Sequence, residues 1–291
     1  MSAGKLVILA GGISSRMKKP TVLKEQVDNR LIEDSNNKSK SMIGVGNNYR
    51  PFLDYLLYNV REAGYREILI VIGEKDDSIK KYYGEKDSSN EFCGLNISYA
   101  VQKLSSGKEK PDGTADALYQ GLMSKTEWKG ERFTVCNSDN LYTQQALKLM
   151  LRNDYPNAMI NYDRNGLEFE IERIERFAVT IKDKENFLTD IIEKPTENEI
   201  EKARGNDGII GVSMNIFSLQ YDMILPVLEQ VPYHPIRNEK ELPEAVKIMA
   251  NKIPGSVFAY TLSEHVPDLT AKNDILIVKK YLQEHFPNFK L

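Results

Sequence analysis

Histidine and cysteine are scarce in this chain of 291 residues, which holds three of the first and two of the second. Cys93 and Cys136 each lie in or beside an apolar stretch, a setting that fits reduced buried thiols in a cytoplasmic protein better than a disulfide framework. His234, His265 and His285 stand singly, at no spacing that would build a metal cage, and read as surface or interface residues. An excess of charge of one sign is missing too: 39 Lys and Arg face 42 Asp and Glu, for a formal net charge of -3. That balance excludes a global electrostatic footprint for DNA, RNA or an anionic membrane, so any nucleotide has to be held locally. Long apolar runs are lacking, and the opening MSAGKLVILAGG is broken by glycine too early to be expected as a signal peptide or membrane span. No hexapeptide period occurs, so a C-terminal β-helix domain is not expected.

What the sequence does have is apolar content, 41%, enough for a substantial core. The reading is of one domain over 1–291 with two intimate halves, about 1–155 and 156–291. In the first half short β-type runs alternate with helix-type runs. KLVILA at 5–10, FLDYLLYNVREAG at 52–64, EILIVIG at 67–73, LNISYAV at 95–101, TADALYQGLMSK at 114–125 and RFTVCNSDN at 132–140 argue for βαβ units and a largely parallel sheet. Phe52, Leu53, Leu56, Leu57 and Val60 share one helix face, with Gly64 where a C-terminal cap belongs. Past residue 155 the pattern changes to strands at 157–162, 176–182, 187–193 and 208–217, with a polar helix at 197–204. A mixed region appended to the same sheet is expected. The chain closes with a helix at 241–251, a strand at 256–262 and a helix at 272–286. The stretch 24–50, rich in Asn, Ser and Lys, reads as a mobile loop or insertion, with SNNKSKS its most flexible part. Lys40 is the one residue there singled out for chemistry.

The strongest local signal is VILAGGISSRM, an apolar strand running into two glycines, two hydroxyl residues and Arg16. A turn after a parallel strand exposes successive N–H groups, and Gly11 and Gly12 remove side chains that would keep phosphate oxygens away. Arg16 adds a permanent fork of donors. Glycine used structurally in a parallel-sheet turn would look the same.

On these residues the chain resembles the nucleotidyltransferase superfamily with a GT-A-like fold, most closely the sugar-1-phosphate nucleotidyltransferases. The family block LAGGxGTRL appears as LAGGISSRM, and the resemblance runs over nearly the whole chain. It implies an α/β fold, a three-layer αβα sandwich with a mostly parallel mixed central sheet. The implied enzyme joins a nucleoside triphosphate to a sugar 1-phosphate, giving a nucleotide-diphospho-sugar and pyrophosphate, with Mg²⁺ or Mn²⁺. Leu9, Ala10, Gly11 and Gly12 then belong to the nucleotide site. Lys40, in SKSMIGVGNNYRPFLDYLL, matches the lysine that contacts the triphosphate, with Lys24 the competing candidate, and Arg16 joins it in catalysis. Ile13 and Ser14 depart from the sugar pattern toward the GGxSSRM loops of cytidylyl and molybdopterin-guanine relatives.

Three further blocks complete the resemblance. VQKLSSGKEKPDGTADAL matches the base-reading segment: Gln102 offers a donor and an acceptor to a base edge, Gly113 allows close approach, and Thr114 can cap the next helix. A surface glutamine, and helix-start roles for Thr114 and Asp116, are the plain alternatives. FTVCNSDN sets Asp139 beyond a strand end, where α/β sheets bind ligands, and HVPDLTAKND resembles the DxGT element, aligning Asp268 with its metal-binding aspartate although the glycine is absent. In IIEKP, Glu193 and Lys194 leave a strand on opposite sides, stopped by Pro195. The resemblance gives Glu193 to the sugar hydroxyls and Lys194 to the acceptor phosphate and catalysis. Gly211, in GIIGVSMNIFS, is given to the sugar pocket, with a bulge or close strand contact as its plain reading. The partners so implied are a nucleoside triphosphate and a phosphorylated small-molecule acceptor, without nucleic acid or membrane, and with a homo-oligomer left open. Rival readings are transfer to a phosphorylated alcohol such as phosphocholine, a glycosyltransferase using a finished nucleotide sugar, and a non-catalytic nucleotide-sugar-binding regulator.

Overall fold

A computed structural model describes residues 3–19 and 27–291. One mixed sheet is built from β1 (Gly4–Ala10), β2 (Tyr65–Gly73), β3 (Asn90–Phe92), β4 (Leu95–Gln102), β5 (Arg132–Asn137), β6 (Asn157–Asp163), β7 (Val179–Lys182), β8 (Leu188–Ile192), β9 (Gly211–Val212), β10 (Ile216–Gln220) and β11 (Val257–Leu262). Their order is β3-β4-β2-β1-β5-β10-β6-β9-β7-β8, with β11 beside β6. The helices are α1 (Asn29–Asn37), α2 (Phe52–Ala63), α3 (Ser78–Tyr83), α4 (Thr114–Met123), α5 (Gln144–Leu151), α6 (Ile171–Ile174), α7 (Glu197–Lys202), α8 (Tyr221–Gln230), α9 (Leu242–Lys252) and α10 (Asp274–His285).

The long ladders are parallel: β4 on β2, β2 on β1, β1 on β5, and β11 on β6. Such strands are covered on both faces, and β1 shows how the sequence meets that demand. Leu6, Ile8 and Ala10 enter one core, with α2, α5 and α10, while Val7 and Leu9 enter the other, with α4, α8 and α9. Three layers result, and each large side chain buried this way contributes about 1.5–3 kcal/mol. The expected face of α2 is fully buried, and Gly64, at φ 111°, closes the helix by donating to the Arg61 carbonyl at 3.1 Å. Among the described residues no helix is long and apolar enough to cross a membrane.

The second half departs from the expected pattern. The stretch 208–217 is two strands, β9 and β10, parted by Asn215 in left-handed backbone at φ 57°. The run expected as a strand at 176–182 is shorter because the turn that follows α6 takes up its start. The polar 24–50 stretch contains α1: Asp28 accepts from the Arg30 N–H, Leu31 and Ser35 are buried, and Asp34 accepts from Gly44 N–H. Helices α3, α5 and α8 were not expected; α5 begins where the Thr143 hydroxyl accepts from Ala146 N–H at 3.1 Å.

Candidate active site

The C-terminal ends of β1, β4 and β5 open into a cavity of about 460 Å³. At its base β1 passes into Gly11, where an added Cβ would stand 2.8 Å from Oε1 of Gln102, so the strand-end glutamine fixes the need for glycine. Gly12 has open space instead, and the turn continues through Ser14 in left-handed backbone, φ 55°, to buried Met17. Arg16 is exposed on this turn and has no ion-pair partner among the described residues. Gln102 is 2% exposed, and its amide nitrogen already donates to the Gly113 carbonyl and to Asp116. What it can offer a base is therefore its acceptor oxygen.

Gly113, at φ 108°, packs directly against Glu239 and Lys240, and an added Cβ would stand 2.4 Å from the Lys240 carbonyl oxygen. That carbonyl accepts from Ala115 N–H, and the Thr114 hydroxyl accepts from Leu242 N–H at 2.9 Å. Thr114 thus caps α9, not the helix it begins, which corrects the expectation from the sequence. The following helix has Gly113 at its cap position, without a side-chain bond.

Asp139 stands two residues past β5, and Asp268 comes from the loop before α10. The two loops lie side by side: Asn140 and Asp268 form a β-bridge, Leu269 N–H donates to the Asp139 carbonyl at 2.8 Å, and Leu141 N–H donates to Pro267. Both carboxylates face the same cavity. Lys40, on the short 3-10 turn after α1, ion-pairs with Asp139. Asp268 is held by Arg173 at 2.7 Å and by the Thr270 hydroxyl. Burial raises the Asp268 carboxyl above its usual range and nearby Asp139 raises it further, against the opposing pull of Arg173. Lys24 lies outside the described residues. Among those described, no group of three or more His, Cys, Asp or Glu could hold a metal. The Asp139/Asp268 pair alone nevertheless fits magnesium, which takes one or two carboxylates and fills its other positions with phosphate and water.

On the acceptor side Glu193 follows β8 and lines the cavity. Its carboxylate is 3.4 Å from Arg237, which also pairs with Glu241 at 2.7 Å, and the Arg237 Nε is buried without a partner among the described residues. Burial pushes the Glu241 carboxyl up to about 7 in spite of Arg237, with Glu193, Glu239 and Glu244 adding to the rise. Lys194 is exposed, in left-handed backbone at φ 48°, and is not among the cavity-lining residues. Gly211 is not among them either. An added Cβ there would collide with the Asn161 amide, so the glycine serves a close strand contact, and Ser213, Met214 and Asn215 face the cavity in its place. Sequence reasoning missed Arg237, Arg176 and Arg173. PIRNEKEL and ERIER carry the charge mixture of a solvated face, and only tertiary structure brings Arg176 and Arg237 to the cavity wall and Arg173 onto Asp268.

A strand-end glycine turn, an acidic pair and cationic walls around one cavity define a nucleotide-handling α/β protein. A model of the nucleotidyl transferase family matches residues 27–255, and the chain belongs to that family. It is 24% identical over 257 residues to glucose-1-phosphate adenylyltransferase 2 of Vibrio vulnificus, covering 87% of this chain and 58% of the relative. It is 27% identical over 254 residues to the bifunctional protein GlmU of Methanococcus vannielii, covering 87% and 52%. The chain thus spans a little over half the length of these relatives. Among solved structures, a UTP-bound UGPase from Acinetobacter baumannii superposes with TM-score 0.71 at 16% identity over 98% of this chain and 95% of that one. A structure described as a putative glucose-1-phosphate thymidylyltransferase from Bacillus anthracis gives 0.67 at 18%, over 99% and 98%. These likenesses establish the fold.

Proposed function

We propose that the chain is a Mg²⁺-dependent nucleotidyltransferase that joins a nucleoside triphosphate to a sugar 1-phosphate and releases pyrophosphate. The observation that carries this reading is the meeting of Asp139 and Asp268, 129 positions apart, on one cavity between the Arg16 turn and Glu193. The names of the curated relatives and the family match support it.

In this account the glycine turn presents N–H groups, and Arg16 with Lys40 neutralises the pyrophosphate as it leaves. Asp139 and Asp268 would hold the cation, which when bound supplies positive charge beside the reacting phosphates. Lys40 has to leave Asp139 to reach a phosphate, and the same ion pair keeps it within range of the cavity. Gln102 reads the base, with Gly113 and Thr114 shaping the floor beneath it. Glu193 accepts sugar hydroxyls, and Lys194, exposed outside the cavity lining, would swing inward on its flexible four-carbon stem to grip the acceptor phosphate. No side chain need become a nucleophile, since the acceptor's own phosphate oxygen attacks the α-phosphorus in line. Mn²⁺ has the same preference for oxygen and should substitute. A cytoplasmic setting suits the substrates.

The test is a matrix of four triphosphates against common sugar 1-phosphates, followed by pyrophosphate release. One pair well above the rest is expected. Free nucleoside diphosphate released from a finished nucleotide sugar, without pyrophosphate, would replace this reading with glycosyl transfer.

A further inference from the structure

The DxGT-like loop here reads Asp268-Leu269-Thr270-Ala271, without its glycine, and the structure has built something else around it. Arg173 comes from α6, in the segment between β6 and β7, and its guanidinium forks across two carboxylates. Nη2 donates to Asp268 Oδ2 at 2.7 Å and Nη1 to Asp274 Oδ1 at 2.6 Å. Asp274 in turn accepts from Thr270 N–H at 2.9 Å and Ala271 N–H at 2.7 Å, and the Thr270 hydroxyl donates to the other Asp268 oxygen, Oδ1. The result is a closed ring in which Arg173, Asp268, Thr270 and Asp274 fix one another. Thr270, at the glycine's place, is a working member of it. The Asp268 and Asp274 side chains are 12% and 9% exposed, and Phe169 lies under the guanidinium at 4.5 Å.

We infer that Arg173 is a positioning residue for the cation site. It holds Asp268 toward Asp139 although the two negative side chains repel, and it leaves each Asp268 oxygen with a lone pair directed elsewhere. The inference rests on the metal reading given above. Its sign separates it from a simple charge effect. By charge alone, removing a cation 2.7 Å from a metal ligand would tighten divalent-cation binding. If Arg173 acts by orienting Asp268, removing it weakens binding, as loss of an orienting partner commonly does by about 10–100-fold.

The experiment titrates Mn²⁺ into the whole 291-residue chain, with and without UTP, and counts free ion by electron paramagnetic resonance. Wild type, Arg173→Met, Arg173→Lys and Asp268→Asn are compared, with circular dichroism and Tm to certify folding. Arg173→Met is expected to lose at least about tenfold in Mn²⁺ affinity, with Arg173→Lys intermediate because one ammonium cannot fork across both carboxylates. Unchanged or tighter binding in Arg173→Met, alongside weakened binding in Asp268→Asn, overturns the positioning role and leaves the metal reading standing. Wild-type affinity in Asp268→Asn, or no Mn²⁺ uptake by wild type, overturns both. Should Arg173→Met fail to fold, Arg173→Lys decides, and wild-type affinity in that variant sinks the proposal.

Discussion

On the parallel side of the sheet the cavity residues stand at the ends of long strands: the glycine turn after β1, Gln102 closing β4, Asp139 just past β5. Backbone ladders fix these places, and each strand is buried on both faces. On the other side, β6 and β11 apart, the strands are short and antiparallel, and side chains hold side chains: Arg173 on Asp268 and Asp274, Arg237 on Glu193 and Glu241. The first wall should therefore tolerate loss of a functional side chain without losing shape. In the second wall, function and shape rest on the same ion pairs, and changes there should register in stability as well as in turnover.

The sharpest way to break this contrast is Asp139→Asn. Turnover should fall about a thousandfold, the scale of several kcal/mol of lost charge stabilisation, while Tm stays within a few degrees. Pyrophosphate release at saturating Mg²⁺ measures the first and a thermal melt the second, and near-wild-type turnover would end the metal assignment. Next comes Gly113→Ala, where positive φ and the clash with the Lys240 carbonyl combine to cost about 3 kcal/mol in urea denaturation. A cost below about 1 kcal/mol would show the two walls to be loosely joined.

Glu241→Gln tests the second wall through pH. The folded-state pKa of Glu241 is raised to about 7, so between its ordinary carboxylate range and pH 7 the folded protein holds more protons than the unfolded one. Stability drawn from this group is thus present at low pH and lost as pH rises through 7. Removing the charge should raise stability more at pH 8 than at pH 5, by on the order of 2 kcal/mol. Equal effects at both pH values would mean that Glu241 is ionised throughout. The smallest effect expected is from Thr114→Val, which removes the acceptor for Leu242 N–H and should cost about 1 kcal/mol of stability.

The same division sets how much could be read in advance. KLVILAGG announces its strand and turn because both are local, and Gly64 is a helix stop wherever it follows such a pattern. Asp139 and Asp268 were legible through short motifs, but their adjacency was not, since it depends on a bridge between loops far apart in the chain. Local propensity makes Thr114 a cap for its own helix because it sees only the following residues, whereas the N–H from which its hydroxyl accepts belongs to a helix from the other half. Gly211 shows a similar limit: the motif alone gives it to the sugar pocket, while its plain reading as a close strand contact matches the demand set by Asn161 on a neighbouring strand. Helix α1 escaped notice because its buried set is small and partly polar, Leu31, Asp34 and Ser35, and gives almost no apolar period.

The bond between Thr114 and Leu242 has a further meaning in time. The partners are 128 positions apart, and the cavity wall between them needs both. A chain emerging from the ribosome can complete β1, β2, β4 and their helices early, from nearby contacts, but the backbone that packs on Gly113 and Thr114 waits for residues 239–242. The pocket therefore cannot be complete until much of the second half of the chain has been made.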